Sequence, residues 1–366
     1  MSEQAVSVIR EDAAPAARLL SWYDRHRRDL PWRAPPGRRA DPYAVWLSEI
    51  MLQQTVVKTV IPYYRRFLER WPTVEALAAA PREEVLPQWA GLGYYARARN
   101  LHACAEIVAR DHAGRFPEEV ERLRALPGIG AYTAAAIAAI AFDARIVPVD
   151  SNIARVLARY HALKTALPAG RDEIAACAQA LLPCSRPGDL AQALMDLGAT
   201  ICAPGRPACA LCPLNGDCEG LALGIAGELP RKAAKPLRPL RRAAAFWAER
   251  PDGSVLVRRR PERGLLGGMT EIPIGPWLEN GARPTARDAP IRARWRPVPG
   301  RVSHVFTHFA AEIAVWRAEV EFIDAPDQCR WAAKSALFEE ALPSLMKKIA
   351  RHALEHVPQK WEPVLR

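Results

Sequence analysis

The apolar positions in the first two-thirds of the chain recur with the spacing of α-helices. Between residues 15 and about 222 they return every three or four positions, and turn or capping residues separate the apolar stretches. Asp41 before Pro42 is a typical helix start, because the carboxylate accepts a backbone N–H and proline fits the first turn. The pattern predicts helices after Asp41 and Thr73, a helix ending at residues 65–70, and helices over 96–110, 117–124, 131–141, 151–163, 171–181 and 189–201.

The pattern changes after about residue 227. The stretch 228–242 is rich in proline and basic residues, which is typical of an exposed linker. Beyond it, short alternating stretches predict strands over 243–248, 255–259, 301–305 and 311–320, and a helix near 342–354. We therefore expect a mainly α-helical domain over 1–226, a linker over 227–242 and a smaller α+β domain over 243–366.

The net charge of the chain indicates a possible class of binding partner. Lysine and arginine total 51 against 40 acidic residues, a formal net charge of +11. This excess favours a polyanion, with nucleic acid first and an anionic membrane surface second, although a basic protein without such a partner stays possible. The N-terminal residues lack the apolar core of a signal peptide, and a Pro-Gly turn interrupts the longest uncharged run, 125–142. We expect a cytoplasmic protein.

Four of the eight cysteines cluster near the end of the helical part. Cys202, Cys209, Cys212 and Cys218 have the spacing C-x6-C-x2-C-x5-C. In a reducing compartment such a cluster favours a metal centre over disulfides. Free structural cysteines and a four-cysteine zinc site remain alternatives, because the spacing alone does not separate zinc from an iron–sulfur cluster.

The stretch LPGIGAYTAAAI, residues 126–137, predicts a tight hairpin followed by a buried helix. Gly128 and Gly130 permit unusual backbone angles and remove side chains that would block close approach. The free N–H groups of the hairpin and of the next helical turn can bind a DNA phosphate. A monovalent or calcium ion on the hairpin carbonyls is a further candidate. The alternative is an ordinary helix–turn–helix corner.

Two carboxylates are candidates for acid–base chemistry. Glu49 has Val45 and Leu52 as helical neighbours, so desolvation on this apolar face should raise its pKa toward that of a general acid. Asp150 precedes a predicted helix, where the helix dipole favours the ionised form. The alternatives are a boundary glutamate whose carboxylate reaches water and an aspartate that serves only as a helix cap.

Four features together resemble one enzyme family. WLSEIMLQQT (46–55), LPGIGAYTAAAI (126–137), VPVDSNIARV (147–156) and the cysteine spacing are similar to MutY-type adenine DNA glycosylases, of the endonuclease III superfamily of helix–hairpin–helix glycosylases. The resemblance implies a six-helix barrel over about 36–150, and an iron–sulfur part formed by the N-terminal helix and about 151–226. It also implies a 4Fe–4S cluster on Cys202, Cys209, Cys212 and Cys218.

The resemblance also implies a mechanism. Glu49 would protonate adenine at N7, and Asp150 would stabilise an oxocarbenium-like sugar after base flipping. Tyr132 stands where bifunctional relatives carry lysine, so no Schiff base can form and we expect a monofunctional enzyme. Tyr132 and Asn152 would line the sugar pocket; the alternative for Tyr132 is a core residue under the hairpin.

DNA contacts follow from the same resemblance. Gln53, Gln54 and Thr55 would reach the DNA at the lesion, and Leu92 and Tyr94 of GLGYY (91–95) would enter the base stack. The expected partner is duplex DNA with adenine opposite 8-oxoguanine or guanine, bound by a monomer in the bacterial cytoplasm.

The C-terminal part resembles the Nudix-like domain of the same family. RGLLGGMTEIP (263–273) is similar to its start, and no run of paired glutamates follows, so we expect recognition rather than pyrophosphate hydrolysis. HVFTHF (304–309) resembles the loop that contacts 8-oxoguanine, with Phe306, Thr307 and His308 as the contacting residues. The family usually has serine where this chain has Thr307.

Two other functions are considered. The first is an endonuclease III-like pyrimidine glycosylase with lyase activity, against which Tyr132 and the second domain argue. The second is a non-catalytic helix–hairpin–helix DNA-binding protein, against which the pairing of Glu49 with Asp150 argues.

Overall fold

The computed structural model describes residues 3–183, 185–233, 238–261, 264–279, 281–306, 308–338, 340 and 342–356, with backbone only for 3–14. The chain divides into two compact units. The first comprises Met1–Val85 and Arg97–Ala234, and the second comprises Leu86–Ala96 and Lys235–Arg366. The short segment Leu86–Ala96 therefore clusters with the second unit, although the sequence interpretation assigned it to the helical domain.

The first unit is helical. Its helices, with one that crosses into Leu86–Ala96, are α1 (Glu3–His26), α2 (Pro42–Leu52), α3 (Val57–Arg70), α4 (Val74–Ala79), α5 (Arg82–Gln88), α6 (Ala96–Asp111), α7 (Val120–Arg124), α8 (Ala131–Phe142), α9 (Ser151–Tyr160), α10 (Arg171–Ala180), α11 (Pro187–Thr200) and α12 (Glu219–Ala222). In the part of the chain that the structure describes, none of the helices has the length and apolar character to cross a membrane.

The capping residues behave as the sequence predicts. The Asp41 carboxylate accepts the Tyr43 N–H, and the Thr73 hydroxyl accepts the Ala76 N–H. Two helix boundaries differ from the prediction. The helix expected over 117–124 begins at Val120, after an extended residue, and the one expected over 151–163 ends at Tyr160, where Ala162 takes a left-handed φ of 49°. Helix α5 was not predicted.

The second unit is a mixed sheet covered by a helix. Its elements are β1 (Leu240–Glu249), β2 (Ser254–Arg259), β3 (Thr270–Glu271), β4 (Arg296–Pro297), β5 (Val302–Val305), β6 (Ala310–Glu319), β7 (Cys329–Ala333) and α13 (Ser344–Glu355). The order β3-β2-β1-β6-β4 is extended by β5 beside β6 and β7 beside β2. The central pair is parallel, from Leu240 opposite Ala310 to Glu249 opposite Glu319. Apolar residues such as Trp247, Ile313 and Ile349 form the core under α13.

A buried ion cluster fixes the N-terminal segment to the first unit. Asp196 in α11 has no exposed surface and accepts the Arg28 backbone N–H at 3.0 Å. Its carboxylate also accepts the guanidinium groups of Arg28 and Arg33, and the Arg33 pair is bidentate. The cluster therefore holds the chain between α1 and α2 against α11.

Removing this carboxylate should destabilise the helical unit. Asp196→Ala leaves the Arg33 guanidinium, whose side chain is 5% exposed, without its partner. Loss of one partner of a buried pair costs about 3–5 kcal/mol. Asp24→Ala is the matched control, because it breaks the exposed pair with Arg186, worth at most about 1 kcal/mol. Denaturation followed by circular dichroism gives both values, and equal losses for the two variants would contradict the prediction.

Candidate active site

Glu49 is a carboxyl group in an almost wholly apolar helix. Every residue of α2 from Val45 to Met51 is buried, and Glu49 is only 7% exposed. The pKa of Glu49 is raised to about 7, chiefly by burial and also by the nearby Asp150 carboxylate. A hydrogen bond from Tyr132 and the charge of Arg33 act in the opposite direction. Glu49 therefore has the properties of a general acid that its sequence environment predicts.

Asp150 caps α9. Its carboxylate accepts the Ile153 N–H at 2.7 Å and the Asn152 side-chain amide at 2.8 Å. Burial raises the pKa of Asp150, although these hydrogen bonds and the Arg155 charge favour the ionised form. Desolvation therefore outweighs the local donors in the direction of this pKa shift. The ionised carboxylate expected at the helix N-terminus stays a prediction.

Tyr132 connects the two carboxyl groups. It is the second residue of α8, and its hydroxyl donates a hydrogen bond to the Glu49 carboxylate. Burial and the charges of Glu49 and Asp150 raise its own pKa well above the usual value, so the phenol stays neutral. Helices α2, α8 and α9 therefore bring together Glu49, Tyr132 and Asp150, which lie far apart in the sequence.

Arg155 forms a layer of hydrogen bonds behind Asp150 that sequence reasoning missed. Its guanidinium donates to the Asn152 side-chain oxygen at 2.9 Å, to the Gly198 carbonyl at 2.6 Å and to the Cys202 carbonyl at 2.8 Å. Asn152 in turn donates to Asp150. A side chain at Gly198 would not fit, because its Cβ would lie 2.7 Å from the Asn152 Cβ. The sequence signal was a basic residue on the apolar side of a predicted helix.

The hairpin between α7 and α8 uses its two glycines differently. Gly128 has φ = 77°, and a Cβ there would lie 2.9 Å from the Asn100 Cβ. Gly130 has an ordinary φ of −85° and open space where a Cβ would be. The left-handed conformation is therefore required only at Gly128, whereas Gly130 leaves the first turn of α8 uncovered, as a bound phosphate requires.

The predicted DNA-contacting turn after α2 lies against the hairpin. The Gln53 amide donates to the Thr133 hydroxyl at 3.1 Å and to the Gly128 carbonyl at 3.5 Å. Gln54 is exposed and has a left-handed φ of 60°, which is uncommon for a residue other than glycine. The turn is held in a strained shape that presents Gln54 to solvent.

A buried arginine supports this turn from behind. Arg97 donates to the carbonyls of Ile50 and Met51 at 3.0 and 2.8 Å, which satisfies the C-terminal end of α2. It also donates to the Thr55 hydroxyl at 3.0 Å. Thr55, predicted to contact DNA, is therefore engaged by protein, and Arg97 is a supporting residue that the sequence did not reveal.

Leu92 and Tyr94, the two residues predicted to enter the base stack, differ in exposure. Tyr94 is 58% exposed with φ = 48°, whereas Leu92 is 5% exposed. The Trp89 indole N–H donates to the Gly93 carbonyl at 3.0 Å and shapes the turn. The insertion of Leu92 and Tyr94 between bases stays a prediction.

The four clustered cysteines line one open cavity. The buried Arg159 side chain donates to the Cys202 sulfur at 3.3 Å and to the Ala203 carbonyl at 2.9 Å. Among the described residues, no three His, Cys, Asp or Glu side chains converge closely enough for a single metal ion. The cavity is lined by Arg159, Ile201, Cys202, Pro207, Cys209, Cys212, Asn215, Cys218, Leu221 and Ala226.

Aromatic rings hold the loop between β5 and β6. The Phe306 N–H donates to the Phe309 carbonyl at 2.8 Å and closes a tight turn. The two rings lie 4.7 Å apart, and Trp277 packs edge-on against Phe309 at 5.2 Å. His304 contacts Phe306 at 4.7 Å. His308, at the tip, is exposed, and Thr307 lies outside the described residues.

Two family models match the chain. Residues 47–184 match the HhH-GPD superfamily of base excision DNA repair proteins, and residues 244–352 match the NUDIX domain. The adenine DNA glycosylase of Homo sapiens is 36% identical over 94% of this chain and 74% of its own length. The chain belongs to the adenine DNA glycosylase family. The enzyme of Mycolicibacterium smegmatis is 43% identical over 59% of this chain and 73% of its own.

A solved structure agrees with this assignment. A thermostable thymine-DNA glycosylase matches with a TM-score of 0.51 and 30% identity, over 57% of this chain and 95% of its own. Family membership makes the protein a DNA glycosylase, a hydrolase of the N-glycosidic bond that works in base excision repair. The predicted fold class, a helical helix–hairpin–helix region followed by a Nudix-like domain, is confirmed.

The raised pKa of Glu49 predicts a pH-dependent cost to folding. The folded protein holds this proton up to about pH 7, whereas the unfolded chain releases it near its ordinary value of 4.5. Stability is therefore lost as the pH rises between these values, by about 2–3 kcal/mol from pH 5 to pH 8. Glu49→Gln should remove this loss in thermal unfolding. Glu121→Gln, at an exposed glutamate of α7, should behave as wild type, and an unchanged pH dependence in Glu49→Gln would contradict the prediction.

Proposed function

We propose that the protein removes adenine paired with 8-oxoguanine or guanine and leaves the DNA strand uncut. The observation that carries this proposal is the meeting of Glu49, Tyr132 and Asp150, with Glu49 protonated up to about pH 7. A carboxylic acid beside a second carboxylate is the arrangement that glycoside hydrolysis requires. The similarity to the adenine DNA glycosylases of Homo sapiens and Mycolicibacterium smegmatis supports adenine as the base that is removed.

The two carboxyl groups have different roles in the proposed reaction. The target adenine must leave the duplex to reach a site between three helices. The Glu49 carboxyl then donates its proton to N7, so that the base leaves as a neutral molecule. The Asp150 carboxylate, at the N-terminus of its helix, stabilises the positive charge that develops on the sugar. Water completes the hydrolysis.

The absence of strand cleavage depends on Tyr132. A lysine amine at this position could attack the sugar and form a Schiff base, which leads to strand scission. The phenol of Tyr132 stays neutral and donates to Glu49, so it positions the acid instead of attacking the sugar. The product is an abasic site.

The hairpin and the loop of the second unit support DNA recognition. The uncovered N–H groups after Gly130 suit a phosphate, and Gln53 and Gln54 lie beside them. Phe306 and His308, with Thr307 between them, belong to the loop that resembles the 8-oxoguanine contact. The ordered aromatic cluster at the base of this loop supports a recognition role.

We further propose that the cysteine cavity holds a 4Fe–4S cluster on Cys202, Cys209, Cys212 and Cys218. All four cysteines line one cavity, and four thiolates are the ligand set of such a cluster. The buried Arg159 guanidinium beside Cys202 offsets part of the negative charge that thiolate ligands introduce. When bound, the cluster supplies a covalent cross-link between the end of α11 and the following turns. The ion expected on the hairpin carbonyls stays a prediction.

Single-turnover incubation with four duplexes tests the proposed function. These carry adenine opposite 8-oxoguanine, guanine or thymine, and thymine glycol opposite adenine. We expect adenine loss from the first two only, with strand breaks that appear after alkali treatment and not before. Breaks without alkali would show lyase activity, and thymine glycol removal would favour the pyrimidine-glycosylase alternative. Binding without base loss from any duplex would favour the non-catalytic alternative.

The acid role of Glu49 gives a second prediction. The single-turnover rate should fall about tenfold per pH unit above pH 7, because only the protonated carboxyl can act. Glu49→Gln should bind the adenine–8-oxoguanine duplex as wild type does and lose excision by about 10²-fold or more. Glu121→Gln is the control. A wild-type rate in Glu49→Gln would assign the proton donor to another group.

Metal analysis tests the cluster. The purified chain should carry about four iron ions and show visible thiolate-to-iron absorption. Cys212→Ala should lose the iron, whereas Cys177→Ala, which changes a thiol in α10 outside the cavity, should keep it. One zinc ion per chain and no iron would contradict the iron–sulfur proposal and favour a four-cysteine zinc site.

A further inference from the structure

The second unit carries exposed arginines that have no role in the proposed chemistry. Arg283, Arg287, Arg292 and Arg294 all lie on the surface, and we name residues 283–296 the arginine segment. Within the described residues, none of these four guanidinium groups contacts a carboxylate, a carbonyl or an aromatic ring. Asp288 is the acidic residue of the segment, so the segment presents a strong net positive charge.

Six arginines in or beside the sheet of the same unit pair with carboxylates. Glu271 pairs with two of them, Glu312 with two, and Glu249 and Glu340 with one each. These partners are Arg258, Arg260, Arg242, Arg301, Arg317 and Arg330. The contrast shows that the four charges of the arginine segment are unpaired in a unit where pairing is common. A surface of this kind fits an anion from outside the chain.

The backbone under these charges is fixed. Trp295 packs edge-on against Phe246 with ring centroids 5.2 Å apart, and its indole N–H donates to the Ile291 carbonyl at 3.2 Å. Thr285 caps the short helical turn Ala286–Asp288, and β4 follows as a strand of the sheet. Exposure alternates along residues 291–296, with Arg292 and Arg294 outward and Trp295 inward. Because the backbone that holds these arginines is already ordered, binding an anion costs less conformational entropy.

We infer that the arginine segment binds backbone phosphates of the duplex DNA that flanks the lesion. This inference rests on the proposed function, which makes duplex DNA the substrate. Guanidinium groups bind phosphate oxygens with two parallel hydrogen bonds, and such contacts position a protein without reading sequence. The segment thus adds affinity outside the lesion-contacting loop.

The sheet register gives the distance from that loop. Strand β5, which leads into the loop, pairs with Ala310–Ile313 of β6, whereas β4 pairs with Trp316 and Arg317 on the same edge. Six residues of strand span about 20 Å. At about 3.4 Å of rise per base pair, this length corresponds to roughly six base pairs. With a duplex that runs along β6, we place the contacted phosphates several base pairs from 8-oxoguanine.

Duplex length and salt together test the inference. The probe is a duplex with an uncleavable abasic-site analogue opposite 8-oxoguanine, with either about 12 or about 4 base pairs on each side of the lesion. Binding by fluorescence anisotropy is measured between about 50 and 200 mM salt. The variant Arg283→Gln/Arg287→Gln/Arg292→Gln/Arg294→Gln should bind the long duplex at least tenfold more weakly. Its log–log salt slope should fall by about 0.9 for each lost phosphate contact, up to about 3.6.

On the short duplex, the same variant should bind as wild type. A control with an equal loss of charge, Lys164→Gln/Arg171→Gln/Lys347→Gln/Arg351→Gln, should keep the wild-type slope on both duplexes. The quadruple Arg→Lys variant should restore most of the slope, because the charges return. The double variant Arg292→Gln/Arg294→Gln should lower the salt slope on the long duplex by about half as much. It replaces the quadruple variant if that variant proves unstable.

Several outcomes would overturn the inference. Unchanged binding of the long duplex would show that the segment does not contact DNA and would favour an acidic protein as its partner. Equal weakening on both duplexes, or equal weakening by the control, would show a general charge effect. If wild type itself does not prefer the lesion duplex over undamaged DNA, the proposed function fails, whichever result the variants give.

Discussion

The candidate active site depends on the removal of one carboxyl group from water. Helix α2 buries Glu49 among apolar side chains, and the Glu49 carboxylate accepts a hydrogen bond from Tyr132. Desolvation is the largest influence on this group, and it keeps the proton in place near neutral pH. The surrounding helices are arranged so that the second carboxyl group, Asp150, comes close without removing that proton. The chemistry therefore depends on packing as much as on residue identity.

Buried arginines hold the loops that surround this site. Arg33 is bound by Asp196 and lies close enough to Glu49 to influence it. Arg97 completes the end of α2, and Arg155 connects Asn152 to the carbonyl of Cys202. In each case a planar guanidinium with several donors satisfies more than one oxygen atom of other residues. Some arginines of this basic chain therefore stabilise its fold, in addition to those proposed to bind DNA.

The parts of the fold that follow from local rules could be predicted from the sequence. The caps at Asp41 and Thr73 and most helix ranges depend on neighbours within one helical turn. The apolar neighbours of Glu49 in α2 likewise indicated that this carboxyl group is buried. The rest depends on tertiary contacts. The burial of Leu92 and the raised pKa of Asp150 result from what packs against them, and no spacing rule reports that. Strand β7 was missed because Cys329–Ala333 has a weak alternating pattern and is defined mainly by its partner β2.

Gly198 illustrates how a residue without functional groups can be indispensable. It lies in the last turn of α11, and a Cβ at this position would lie 2.7 Å from the Asn152 Cβ, too close for any side chain without a shift of the backbone. In a survey of inherited or random substitutions, this position would therefore be as intolerant as an acid or a nucleophile. A damaging change there would be read as catalytic from its phenotype, although it acts by displacing a neighbouring helix.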